Sequence, residues 1–144
     1  MTKIAIGSDH GGFNLKNTNK KYLEEKGYEL KDYGTYSKDS CDYPVYAKAV
    51  AKSVASGENE KGIIVCGSGI GVSIAANKVK GVRAAVCHES HSAMLSRLHN
   101  NANVLCLGER ITGESLALDI VDVWLKSEDE GGRHQKRVDM LDED

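Results

Sequence analysis

The chain has 144 residues, 28% of them charged and 40% hydrophobic, with a formal net charge of −2 at pH 7. That length supports a core without covalent staples, and the near-neutral charge argues against nucleic acid or a membrane surface as the main partner. The cysteines at 41, 66, 87 and 106 form no C-x-x-C pair, no apolar run reaches transmembrane length, and Lys3-Ile4-Ala5-Ile6 reads as a strand rather than an export signal, so a cytoplasmic protein with reduced thiols and one domain over 1–144 is the expectation.

Lys3 to Ser8 predicts a strand that ends in the polar loop Asp9-His10-Gly11-Gly12. Phe13 to Lys26 follows with helical spacing, Leu15, Asn19, Tyr22, Leu23 and Lys26 on one face, and Gly27 as its stop. Tyr28 to Tyr33 is a second strand, and after a polar loop Ala47, Val50, Ala51 and Val54 mark a second helix at i, i+3, i+4, i+7. Ile63 to Val65 is a third strand, followed by a glycine-rich turn and helical patterning from Val72 to Ala76. Val82 to Cys87 is a fourth, with a helix over Ser90 to His99 that carries Met94, Leu95 and Leu98. Val104 to Leu107 is a fifth, with a helix over Gly113 to Lys126 that turns Leu116, Ile120, Val123 and Trp124 inward. A break at Gly131-Gly132 precedes a last helix. This alternation predicts a three-layer, Rossmann-like α/β fold with a five-stranded parallel sheet and a C-terminal helix, whose ligands bind beyond the carboxyl ends of the strands. Asp9, His10, Cys66, Ser68 and Arg110 all fall at such ends.

The turn Cys66-Gly67-Ser68-Gly69-Ile70-Gly71 satisfies neither the G-x-G-x-x-G dinucleotide fingerprint nor a P-loop. It does join free N–H groups to a helix N-terminus, which favours phosphate or a developing oxyanion. Cys66 at the strand end faces that field, where a thiolate acts as base or nucleophile, and Ser68 adds a hydroxyl. Cysteine at the end of a buried strand is also simply a small hydrophobe. Arg133 and Arg137 share a face in the first turns of the last helix, where they oppose the helix dipole unless an anion answers them; a solvated charged face is the plainer alternative.

Five segments carry a resemblance over nearly the whole chain: Ser8 to Gly12, Asp42-Tyr43-Pro44, Cys66 to Lys78, Arg97-Leu98-His99-Asn100, and Glu130 to His134. In these the sequence resembles the type B ribose-5-phosphate isomerases, a family that includes the subunits of galactose-6-phosphate isomerase. The resemblance implies interconversion of D-ribose 5-phosphate and D-ribulose 5-phosphate through an enediolate, with no cofactor and no metal. By position it implies Cys66 as the base between the first two sugar carbons, and Ser68 with the backbone of Gly67, Gly69, Ile70 and Gly71 as the enediolate cradle. It makes His99 the ring-opening group, with Asp9 as a second candidate. Tyr43 and Asn100 resemble hydroxyl binders, and His10, Arg110, Arg133 and Arg137 resemble a phosphate clamp. It also implies a homodimer, or a pair of such dimers, with the site shared between subunits. Taken alone, His99 suits a helix end and Asp9 a turn or cap equally well.

The family's usual threonine is Ser68 here, which keeps the hydroxyl. Some members replace the cysteine by a glutamate later in the turn; that position resembles Val72, so Cys66 is the one base on offer there. The subunits of galactose-6-phosphate isomerase resemble a division of labour, whereas this chain carries both Cys66 and His99. The competing expectations are a hexose 6-phosphate isomerase and a noncatalytic sugar-phosphate-binding module.

Overall fold

Short apolar runs and 3.6-period runs fold as alternating strands and helices, with one further helix at the C-terminal end. The computed structural model describes residues 2–143. Strand β1 (Lys3–Ser8) passes through a 3-10 turn at His10–Gly12 into α1 (Phe13–Glu25). Then follow β2 (Glu29–Asp32), α2 (Tyr43–Ala55), β3 (Lys61–Cys66), α3 (Ile70–Asn77), β4 (Ala84–Val86), α4 (Ser90–Leu98), β5 (Val104–Gly108), α5 (Glu114–Lys126) and α6 (Arg133–Leu141). The five strands pair in parallel in the order β2-β1-β3-β5-β4, as the alternation predicts.

Side chains alternate along each strand and thereby sort the core into two layers. Ile4, Ile6, Ile63, Val65, Leu105 and Leu107 pack with Leu15, Leu23, Ala93, Ala117, Ile120 and Trp124 of α1, α4 and α5. Ala5, Ile64, Cys66, Val104 and Cys106 pack with Ala47, Val50, Val54, Val72 and Ala76 of α2 and α3. Fully burying each Val, Leu or Ile contributes about 1.5–3 kcal/mol, so both faces of the sheet are strongly held. Parity has a functional consequence: Cys66 shares the face of Ile64 and ends β3 toward α2 and α3.

Three helix faces and one strand differ from the periodicity reading. Strand β4 keeps only Ala84–Val86, because it is an edge strand laddered to β5 alone. Helix α4 buries Ala93, Ser96 and Arg97 in place of Met94, Leu95 and Leu98. The Arg97 guanidinium donates to Ser127 O at 3.2 Å, Asn101 Oδ1 at 2.9 Å and Ala102 O at 2.7 Å, which satisfies it inside. Helix α5 buries Ala117, Ile120, Val121 and Trp124, while Leu116 remains 41% exposed. On α1 the buried lysine is Lys16, not Lys26; its Nζ meets Asp32 Oδ2 at 3.0 Å and Thr35 O at 2.5 Å, tying the end of β2 to α1.

Strand β1 connects to β2 on one side, while β3 lies on its other side. The carboxyl ends of β1 and β3 therefore flank a switch point, where chains leaving in opposite directions open a crevice.

Candidate active site

Asp9 follows β1, Cys66 ends β3, and both line one cavity of about 280 Å³ with Tyr43, Gly67, Ser68, Gly71, Arg110 and Ile111. The Cys66 side chain is 5% exposed, and its Sγ accepts the Gly69 N–H at 3.1 Å. This N–H points at the atom where a thiolate would carry its charge. Such a turn needs glycine at 69: φ is +80°, and a Cβ would stand 2.9 Å from Val86 and 3.0 Å from the Leu107 backbone. Cys87 and Cys106 do not line that cavity. Burial pushes the Cys87 thiol up to about 11, and burial likewise pushes Cys106 up, which keeps both protonated and inert.

Not all turn amides face the cavity, which refines the expected cradle. Gly69 N–H is committed to Cys66, and Ile70 N–H to Ser68 Oγ at 3.1 Å. The N–H groups of Gly67, Ser68 and Gly71 have no protein acceptor among the described residues. They are the donors open to an oxyanion, and Ser68, whose oxygen accepts from Ile70, keeps its hydroxyl proton to give. Tyr43, at the start of α2, lies so close over Gly71 that a Cβ there would meet its ring at 2.8 Å. Arg110 stacks on the other side of the turn: its N–H donates to Gly67 O at 3.0 Å, and a Cβ at Gly67 would be 3.2 Å from its Nη1.

Asp9 is 8% exposed, and its Oδ1 accepts Gly12 N–H at 3.1 Å, capping the 3-10 turn. His10 Nδ1 accepts Cys41 N–H at 3.2 Å, so the neutral ring carries its proton on Nε2. Glu109 closes another anion site: its Oε1 takes Leu15 N–H at 2.7 Å in the first turn of α1.

His99, Asn100, Arg133 and Arg137 lie elsewhere. Helix α4 runs back against the strands, so its C-cap His99 sits at the amino end of the sheet, just before β5. Gly62 pairs with Val104 there, and Cys66 pairs with Gly108 at the far end, roughly 13 Å of strand away at about 3.3 Å per residue. His99 Nε2 is 3.2 Å from Glu130 Oε1, and its ring stacks on His134 with centroids 4.4 Å apart and planes 18° from parallel. Asn100 lines a separate cavity of about 440 Å³ with Arg83, Ser96 and Leu141, which holds no proton-transfer pair. Among the described residues no carboxylate lies within ion-pair distance of Arg110, Arg133 or Arg137, so all three are open to an anion.

The His99, Glu130 and His134 ligand atoms lie within 4.8 Å of one another, as a metal site would require. Imidazole lone pairs, however, lie in the ring plane, and two stacked, near-parallel rings direct them side by side rather than onto one ion. The arrangement suits a held imidazole better than a chelate.

Of the residues singled out from sequence, Asp9, Tyr43, Cys66, Gly67, Ser68, Gly71 and Arg110 share the cavity, with His10, Gly69 and Ile70 beside it. Ile111, Glu130 and His134 were not assigned roles there. Ile111 carries no chemical signal in sequence, and the nearness of Glu130 to His99 arises from tertiary structure alone.

A buried thiol beside open turn amides and an arginine that no described carboxylate engages, all at the switch point of a parallel sheet, is the makeup of an α/β enzyme that handles small anionic molecules. More narrowly, the chain belongs to the Ribose/Galactose Isomerase family, whose pattern matches residues 4–141. It is 54% identical to ribose-5-phosphate isomerase B of Escherichia coli (strain K12), over 98% of this chain and 95% of that protein. Its structure superposes with a TM-score of 0.98 on ribose-5-phosphate isomerase B of Clostridium thermocellum, 56% identical, covering 99% of this chain and 96% of that one. It also superposes on ribose-5-phosphate isomerase B of Mycoplasma genitalium with bound ribulose-5-phosphate, with a TM-score of 0.94 and 44% identity, covering 98% of this chain and 94% of that one. Among the described residues, no helix is long and apolar enough to cross a membrane.

Proposed function

We propose that the chain is an aldose-ketose isomerase that interconverts D-ribose 5-phosphate and D-ribulose 5-phosphate. The observation that carries this reading is Cys66 Sγ, held by Gly69 N–H at the wall of a cavity whose other walls offer the open amides of Gly67, Ser68 and Gly71. Base and oxyanion donors thus stand on one rigid turn, which the chemistry of an enediolate requires. The names of the relatives supply the sugar.

The Cys66 thiolate takes the C2 proton of the open-chain aldose. The C2–H electron pair becomes the C1=C2 bond, and the carbonyl pair moves to O1. Turn amides and the Ser68 hydroxyl hold that oxyanion. Transfer of the O2 proton to O1, and delivery to C1 of the Cys66 proton after its exchange with solvent, completes the ketose. General acid-base transfer contributes about 10² to 10⁴-fold, and one oxyanion donor about 10² to 10³-fold.

The furanose must open first, and His99 has that role in this reading. His99 and Cys66 stand at opposite ends of the sheet, so the complete site needs a second chain. A homodimer that places His99, Asn100, Arg133 and Arg137 of one protomer against the Cys66 turn of its partner unites the two halves. Tyr43, Val45, Ile70, Ile74 and Ile111 are large apolar side chains left exposed on α2, α3 and the loop after β5, around that turn. Exposed apolar side chains of this size suit burial against a second copy. His10, Arg110, Arg133 and Arg137 then converge on the phosphate, with Tyr43 and Asn100 on the sugar hydroxyls.

The test is turnover of D-ribose 5-phosphate in deuterated buffer, following ribulose 5-phosphate and loss of the C2 proton signal. Product carrying solvent deuterium at carbon is the expected result. Faster turnover of a hexose 6-phosphate would overturn the sugar assignment but leave the isomerase; binding with neither exchange nor product would overturn both in favour of a binding module.

A further inference from the structure

The chain between α5 and α6 is built as a strap across the end of α4. Buried Arg97 holds Ser127 O at 3.2 Å, Glu130 N–H donates to Leu98 O at 3.1 Å, and Gly131 N–H donates to Asp129 Oδ1 at 3.2 Å. Gly131 and Gly132, at φ +64° and +56°, then turn the chain into α6, with His134 N–H bonded to Gly131 O at 3.1 Å. Together these bonds fix where Glu130 and His134 stand. Their side chains meet the same ring: Glu130 Oε1 lies 3.2 Å from His99 Nε2, and His134 stacks on the ring face at 4.4 Å.

We propose that Glu130 is a positioning residue for His99, orienting the imidazole through Nε2 and fixing its tautomer for opening the sugar ring. This rests on the reading of His99 given above. A carboxylate accepts, so the neutral His99 ring carries its proton on Nε2 and presents Nδ1 as its basic atom. His134 blocks rotation of the ring to one side. His99 and Glu130 are 40% and 51% exposed, so the pair adds little to stability; its value lies in ring orientation, where small misplacements slow catalysis strongly.

The substrates separate this role from general damage. Ribose 5-phosphate is mostly a closed furanose, whereas ribulose 5-phosphate stays open, because the hydroxyl that would close its ring carries the phosphate. Exchange of the C1 proton of ribulose 5-phosphate with deuterated solvent therefore reports enediolate formation without ring opening. Glu130→Ala is expected to slow ribose 5-phosphate turnover about tenfold and to leave C1 exchange close to wild type. Glu130→Gln, which keeps an acceptor oxygen, is expected to restore most of the turnover. Equal loss of both reactions in Glu130→Ala, loss of neither, or a Gln variant no better than Ala would overturn the proposal. His99→Asn is the control. If it spares ribose 5-phosphate turnover, the role of His99 itself falls; if it shows the expected split while Glu130→Ala is inert, only the role of Glu130 falls.

Discussion

The turn at Cys66 and the cluster at His99 are built by different means. At Cys66 the backbone makes the site: a positive-φ glycine, an N–H aimed at sulfur, and open amides in the turn and at the start of α3, all at the end of the buried strand β3. At His99 side chains make it, on the C-cap of α4 and a strap anchored by Arg97. The first arrangement tolerates no Cβ at Gly69; the second is half-exposed and held by side chains. This contrast fits the tasks proposed. An oxyanion must meet donors already in place, whereas a ring-opening group must reach a substrate held by another surface.

Removing the thiol bears on the backbone-built half most heavily. Cys66→Ala is expected to lower both isomerisation and C1 exchange by at least about 10³-fold, with sugar-phosphate affinity retained in a binding titration; unchanged turnover would exclude Cys66 as base. Next comes the frame that holds it. Gly69→Ala meets both a left-handed backbone and the contacts at 2.9 and 3.0 Å, and is expected to destabilise by about 1–3 kcal/mol in denaturant unfolding while also lowering kcat. A wild-type kcat in the Gly69→Ala protein would make the turn less exacting than the contrast claims.

The half-exposed side is expected to respond in binding rather than in structure. Arg133→Ala and Arg137→Ala each remove an exposed cation that no described carboxylate pairs, and each is expected to raise KM about tenfold with thermal stability unchanged. A fall in kcat at constant KM would move them off the phosphate. The smallest expected effect concerns the inert thiols. Cys87 has its thiol raised in the fold from 9.0 to about 11 by burial, so the native state keeps a proton that the unfolded chain releases. The stability this contributes is full below about pH 9 and is lost as pH rises toward 11. Urea unfolding across that window is expected to show a shallower decline in Cys87→Ala than in wild type.

Element order and sheet type were legible because short apolar runs alternate with period-3.6 runs as far as α5, and because each strand's carboxyl end carries polar residues. Cys66, Ser68 and Arg110 were visible for the same reason. The sequence does not reveal a charge that is buried because neighbouring carbonyls satisfy it. Lys16 and Arg97 look like surface residues in any hydrophobic pattern, yet one locks β2 to α1 and the other anchors the strap. Nor does glycine spacing say which amides turn inward; Gly69 and Ile70 donate within the turn, and Gly67, Ser68 and Gly71 stay open. The separation of His99 from Cys66 follows from the direction of α4, which pattern alone places only once strand order is known.

The central claim is that two chains together make one site, and subunit complementation tests it most directly. Cys66→Ala and His99→Asn proteins, each nearly inactive on ribose 5-phosphate, are unfolded together, mixed in equal amounts and refolded. Half of the dimers then carry one chain of each kind, and one of their two sites has both Cys66 and His99 intact, so recovery of about a quarter of wild-type activity is predicted. Activity no greater than the sum of the two separate variants would place Cys66 and His99 in the same protomer's site and contradict the account.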